Sequence, residues 1–245
     1  MSVARIRKIV DVTNSLNADI IVMLGDYGAG HRWVTSWVES KDWSAALAGL
    51  RAPLGIHAVL GNHDWWEDRT AQKNGAGPVF GRVALERVGI PVYENDVVKL
   101  QKDGLSFWLA GLGDQLALLP GKRWGRNRWQ GVDDLSSTLS KIDDEAPVIL
   151  LAHEPDIFPR VPDRVSLTLS GHTHGGQVRI LGYSPVVPSR YGNKYAYGHI
   201  VEAGPHLTDM PRHLIVSGGL GCAIAPIRFG VPPEIVLIEL GNATS

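Results

Sequence analysis

The chain has a single cysteine, Cys222, in 245 residues. No disulfide within it can set the fold, and both a reducing compartment and a disulfide-free oxidising one stay open. Cys222 itself reads as a small buried hydrophobe. Net charge is almost absent, because 24 basic residues face 25 acidic ones and leave −1. That balance supplies no bulk electrostatic attraction for nucleic acid or for an anionic membrane. Long apolar runs are missing as well. The longest, residues 146–152, falls far short of the roughly 18–20 residues that a membrane-spanning helix needs, and the first residues form an amphipathic pattern rather than a signal peptide. As given, the chain reads as soluble and cytoplasmic. Its 28 glycines and 15 prolines are scattered between apolar runs, with no linker, repeat or low-complexity tract. Residues 1–245 are therefore expected to form one domain, long enough to bury a sizeable core.

What is present is a rhythm of apolar segments with polar ends. Val3, Ile6, Ile9, Val10 and Leu16 recur near helical spacing and predict a helix up to Asn17. An apolar strand over residues 19–24 follows and ends at Gly25-Asp26. Further strands are predicted over 56–60, ending at Gly61-Asn62-His63-Asp64, and over 147–152, ending at His153-Glu154-Pro155. A fourth, 165–169, runs into Gly171-His172-Thr173-His174-Gly175-Gly176-Gln177. Before the third strand, Leu135, Leu139 and Ile142 mark a helix face, with Asp133 as the expected N-cap. Strands apolar on both faces suit parallel pairing under helices, so the class is α/β. In open α/β sheets the carboxyl ends of such strands converge on one crevice.

The residue types at these ends suit metal chemistry. His172 and His174 stand one residue apart on a glycine-flanked turn, where the alternation of side chains along an extended segment and the close backbone approach that glycine permits let the two imidazoles face two different ions. Oxygen and imidazole donors without thiolates suit catalytic Mn, Fe, Zn, Ni or Co. A carboxylate such as Asp26 can bridge two ions about 3.5–4 Å apart, which together acidify a water and hold phosphoryl oxygens. His63, next to Asn62, is then free to stabilise developing charge and to protonate a leaving alkoxide.

In their order along the chain, Gly25-Asp26, Gly61-Asn62-His63-Asp64, His153 and Gly171-His172-Thr173-His174 resemble the calcineurin-like metallophosphoesterases. Asn14-Ser15-Leu16-Asn17-Ala18-Asp19, Ser217-Gly218-Gly219-Leu220-Gly221, Pro226-Ile227-Arg228 and Pro233-Glu234-Ile235 extend the resemblance to the YaeI/YkuE-type phosphodiesterases over nearly the whole chain. The resemblance implies a four-layer αββα sandwich. It implies Asp26 as the metal bridge, Asn62, His153 and His172 as the other ligands of one ion, His174 as a ligand of the other, and His63 as the catalytic histidine. The implied activity is hydrolysis of phosphodiesters, and secondarily phosphomonoesters, by metal-activated hydroxide with Mn, Fe, Zn or Ni. Two alternatives stand beside it: a phosphomonoesterase or nucleotide-lipid pyrophosphate hydrolase, and an inactive metal-binding variant.

One family feature has no counterpart. The family's first strand ends in Asp-x-His, and no aspartate here has histidine two positions on. A truncated chain and a natural variant both account for this, and a longer form would leave room for an export signal or membrane anchor. The expectation is one well-ligated metal, held by Asp26, Asn62, His153 and His172, and a second, weak site with Asp26 and His174. His31 or Asp64 are the candidate substitutes, against the plainer readings of a loop residue and a local hydrogen-bonding group. Without the usual first strand, residues 19–24 would also keep an open edge, which favours a homo-oligomer. The expected partner is a small-molecule or lipid phosphoester. Trp65 and Trp66 read either as an apolar wall for its aryl or acyl leaving group or as a core plug. Arg228 reads as a holder of a phosphate oxygen or as the partner of a carboxylate. Residues 122–129, with four cations and two tryptophans, read as a contact for an anionic ligand, base or headgroup, or as a solvated loop.

Overall fold

A computed structural model describes residues 1–28, 37–203, 211–223 and 226–241. Helix α1 (Val3–Ser15) begins on Ser2, whose hydroxyl accepts from the Arg5 amide, and ends just before Asn17, which turns into a left-handed conformation with φ 51°. The chain then enters β1 (Ile21–Met23), which pairs in parallel with β2 (Ile56–Ala58). Helix α2 (Ser40–Leu47) lies between them, and α3 (Asn62–Trp66), α4 (Arg69–Asn74) and α5 (Phe80–Arg87) follow β2. Ile6, Trp43 and Leu85 pack with Ala58 and Leu60 on the outer side of this small sheet.

The second sheet has six strands: β3 (Asp96–Lys102), β4 (Leu105–Gly111), β5 (Val148–Leu151), β6 (Leu167–Ser170), β7 (Gly198–Ala203) and β8 (Pro211–Val216). Their spatial order is β3-β4-β5-β6-β8-β7, parallel in the middle and closed on each edge by an antiparallel pair. Every residue of β5 and β6 is buried, and β5 accordingly reads as a continuous apolar run, whereas β6 also buries Thr168 and Ser170. Val59, Leu109, Ile149 and Leu169 meet Ile20, Val22 and Leu24 between the two sheets. On the far side, Ile157, Phe158 and Tyr195 cover the larger sheet together with α6 (Leu135–Leu139). The expected α/β architecture with helices outside facing sheets is the one observed.

Details differ. Helix α6 is capped by Asp134, whose carboxylate accepts from the Ser137 amide at 2.9 Å, while Asp133 pairs with Arg160 at 3.0 Å. It stops at Leu139, so Ile142 joins the core from beyond the helix. Nothing in the apolar pattern predicts α2–α5 or the β3–β4 pair, because β3 is exposed at alternate and terminal positions and the helices are short. Cys222 is only half-buried. His57 is a satisfied core histidine, held between Tyr93 Oη at 3.0 Å and the Leu54 carbonyl at 2.9 Å. Among the described residues β1 pairs with β2 alone, and no helix is long and apolar enough to cross a membrane.

Candidate metal centre

The loops that follow β1, β2, β5 and β6 meet at one point, and two glycines allow it. A Cβ at Gly25, where φ is 98°, would lie 2.4 Å from the Gly61 amide nitrogen. A Cβ at Gly61 would lie 2.4 Å from Asp26 Oδ1 and 2.6 Å from His153 Cε1. Only hydrogen fits at either place. Asp26, His172 and His174 adopt left-handed φ values of 61°, 64° and 51°, which side chains tolerate at a cost of roughly 1–3 kcal/mol each. The two histidines therefore sit on a tight turn, as expected from sequence, with left-handed rather than extended backbone.

Asp64 secures these loops. Its carboxylate accepts from the amides of Gly61, Asp26 and Tyr27 at 2.9, 2.8 and 2.9 Å. Burial, then the charge of Asp26, pushes its pKa up to about 7 against those three donors. It thus takes the local hydrogen-bonding role rather than that of a substitute metal ligand.

The side chains above this floor converge. Ligand atoms of Asp26, His153 and His172 all lie within 4.8 Å of one another. His153 Nδ1 is committed to the Leu24 carbonyl, so Nε2 faces the cluster, 3.2 Å from Asp26 Oδ2. That Nε2 is buried, and the Asp26 carboxylate is the charged group it faces. His172 Nδ1 stands 2.9 Å from Asn62 Oδ1, and the His172 ring packs edge-to-face on His153 at 5.1 Å. Asp26 Oδ1 accepts from the His63 amide at 2.9 Å.

Burial opposes charge on both Asp26 and His153, yet their mutual attraction wins. The Asp26 carboxyl is held well below its ordinary range, and His153, also drawn up by Glu154, rises to about 10. His172 is lowered, chiefly by burial. A buried imidazole nitrogen facing a carboxylate, a second imidazole and an amide oxygen, with no thiolate, fit a divalent cation of the borderline type. The His153 Nδ1–carbonyl contact is the usual device that fixes a ligand histidine's ring.

The family description of calcineurin-like phosphoesterases matches residues 2–176, a span that contains every side chain of this cluster. The chain belongs to the calcineurin-like phosphoesterase family. This phosphoesterase is 30% identical over 237 residues to the uncharacterized metallophosphoesterase YkuE of Bacillus subtilis (strain 168), covering 96% of this chain and 72% of that protein. It is also 30% identical over 239 residues to an uncharacterized metallophosphoesterase of Aquifex aeolicus (strain VF5), covering 96% and 78%. In three dimensions it is similar to the NAD nucleotidase of Haemophilus influenzae, with a TM-score of 0.52 and 16% identity over 87% of this chain and 43% of that one. At that identity the likeness concerns the fold. Family membership makes the chain a metal-dependent hydrolase of phosphoric esters.

The other residues singled out from the sequence of this phosphoesterase fall in different places. His63, in the first turn of α3, lays its ring edge-on against Trp66 at 4.9 Å, with a buried and unpartnered Nδ1 among the described residues. Trp65 is core, 3% exposed and packed with Leu60 and Leu85. Trp66 is half-buried, and its indole N–H donates to the Leu116 carbonyl at 2.8 Å. His174 stays outside the cluster, with Nδ1 3.3 Å from Arg228 Nη2. Burial and Arg228, against the pull of Asp26, take its pKa down to about 4. Arg228 pairs with no carboxylate among the described residues; it donates to the Gly221 and Gly218 carbonyls at 2.6 Å each and clamps that loop to the histidine turn. His31 lies outside the described residues.

Two acids went unread. Asp114 and Glu154, 1% and 2% exposed, group with His153 within 4.8 Å. Burial, then the neighbouring Glu154 charge, pushes Asp114 well above the carboxylate range. Glu154 Oε1 lies 4.0 Å from His172 Nδ1, behind the metal-facing cluster. Both follow the carboxyl ends of strands, β4 and β5, and that position is the signal that could have found them.

Proposed function

We propose that this phosphoesterase hydrolyses phosphodiesters in preference to phosphomonoesters, with one firmly held divalent ion and a second held weakly. The observation that carries the preference is Arg228. A monoester brings about −1.5 to −2 of charge where a diester brings one, and Arg228, 3.3 Å from His174, has its guanidinium spent on the Gly218 and Gly221 carbonyls. With one converged ligand set, the less charged ester is the better match.

Asp26, Asn62, His153 and His172 would hold the ion. Bound there, a divalent cation supplies the Lewis acidity that acidifies an attacking water and draws charge from phosphoryl oxygens. Asp26 does two jobs, because its Oδ1 also fixes the His63 backbone. His63 is thereby set at the mouth of α3, its ring braced by Trp66, in position to give a proton to the leaving oxygen. The Trp66 side presents apolar surface to that leaving group.

Hydrolysis of bis-p-nitrophenyl phosphate and p-nitrophenyl phosphate with added Mn²⁺ tests the reading. The diester should turn over faster, a chelator should abolish both, and His63→Ala should lower kcat by about 10²–10⁴-fold. Diester hydrolysis that survives His63→Ala or chelation would sink it. The turning of His174 toward Arg228 favours a second reading, a metal-binding protein without turnover. Mn²⁺ binding with neither ester cleaved would select that one.

A further inference from the structure

Between β4 and α6 the chain makes an excursion that is anchored on the helices carrying the candidate site. Leu118 and Gln130 exchange backbone hydrogen bonds at 2.9 and 3.2 Å, and the Gly121 amide donates to the Arg126 carbonyl at 2.7 Å. Gln72 of α4, fully buried, donates to the Trp65 and Ala117 carbonyls and accepts from the Leu119 amide. Arg126 Nη2 reaches back to the Gln72 carbonyl at 2.7 Å. Trp66 itself holds Leu116.

This anchoring brings together two segments that are far apart in sequence. The Trp129 ring lies 4.8 Å from Trp66, whose other contact is His63 at 4.9 Å. Core aromatics here are closed off, Trp43 at 4% exposed and Tyr195 at 0%, whereas Trp129 keeps 45% of its surface in solvent. The same excursion carries Lys122, Arg123 and Arg128, and no carboxylate among the described residues forms an ion pair with them. An indole pair beside His63 with one ring exposed, on the same excursion as cations that have no ion-pair partner among the described residues, matches a ligand that is both flat and anionic.

We infer that Trp66 and Trp129 form a stacking subsite beside His63 for a planar aromatic ring carried on the phosphoester substrate, with Lys122, Arg123 and Arg128 attracting its anionic part. The inference rests on the role proposed for His63, which makes its neighbours the leaving-group side. A nucleobase and a simple aryl group share this chemistry.

Calorimetric titration of the full chain in chelator, at low salt, separates binding from turnover. The probes are adenosine 5′-monophosphate, ribose 5-phosphate, phenyl phosphate and methyl phosphate. The ring-bearing member of each pair should bind more tightly, and Trp129→Ala should weaken it by about 5- to 150-fold, the loss of one stacked ring, with little change for the ringless member. Trp129→Phe should keep most of the preference. A preference confined to the adenosine pair identifies a nucleobase, and one shown by both pairs identifies any aromatic ring. Equal binding of ringed and ringless probes to the parent protein overturns the inference, as does a folded Trp129→Ala that keeps the preference. Should Trp129→Ala not fold, Trp129→Leu replaces it. Ring-selective binding without ester hydrolysis removes the proposed activity and leaves the subsite; Mn²⁺-dependent hydrolysis without ring selectivity does the reverse.

Discussion

His172 and His174 belong to one turn, share a left-handed backbone conformation, and end in opposite surroundings. His172 faces Asn62, with His153 and Asp26 beside it, in a group rich in lone pairs and negative charge. His174 faces a guanidinium at 3.3 Å, which repels any divalent cation drawn to the imidazole. We infer that ligand identity alone does not make a metal site and that the charge of the neighbour sets how well the imidazole serves.

The largest effect should separate the two histidines directly. His172→Ala is expected to lose bound Mn²⁺ and to drop diester turnover on the order of 10³-fold, whereas His174→Ala should keep one ion per chain and lose about tenfold or less. Metal content after dialysis, read beside kcat, checks this, and equal losses would dissolve the distinction.

A smaller effect should come from the guanidinium. Arg228→Gln keeps amide donors for the Gly218 and Gly221 carbonyls but removes the charge. Binding of a second Mn²⁺ should then tighten by about tenfold, the scale of one unit charge at a partly exposed site. An unchanged second equivalent would show that geometry, and not charge, disables His174.

The smallest effect concerns pH without metal. His153 is raised from 6.5 to about 10, so its contribution is fully present below pH 6.5 and is lost as pH rises toward 10. His174 is lowered from 6.5 to about 4, so the unfolded chain binds the extra proton, and stability falls as pH drops from 6.5 toward 4. Each histidine therefore gives the metal-free melting temperature a limb on its own side of pH 6.5, of the order of 2–4 °C per kcal/mol, and Asp64, raised from 3.8 to about 7, adds a fall with rising pH across the acid side. His174→Ala should flatten only the acid limb. Flattening of the alkaline limb instead would mean that the two environments are wrongly assigned.

Much of the site was legible because strand ends were legible. Residues 147–152 are apolar throughout and Val165, Leu167 and Leu169 alternate with small polar residues, so the ends of both segments could be placed, and with them His153 and His172. Asp26 and Asn62 followed from the same rule. Asp114 did not, because β4 begins exposed and its apolar half is short. Trp129 and Arg228 were ambiguous for another reason. Each makes its decisive contact across a sequence separation that no local pattern encodes, Trp129 with Trp66 and Arg228 with His174.

The sequence by itself determined which donors this protein owns and that they stand at the ends of buried strands, because apolar periodicity and residue type are local properties. The tertiary structure alone decided which donors meet. Backbone approach at Gly25 and Gly61, the hold of Asp64 on three amides, and the guanidinium beside His174 are long-range packing outcomes. Their energies depend on distances between segments, which spacing along the chain does not contain.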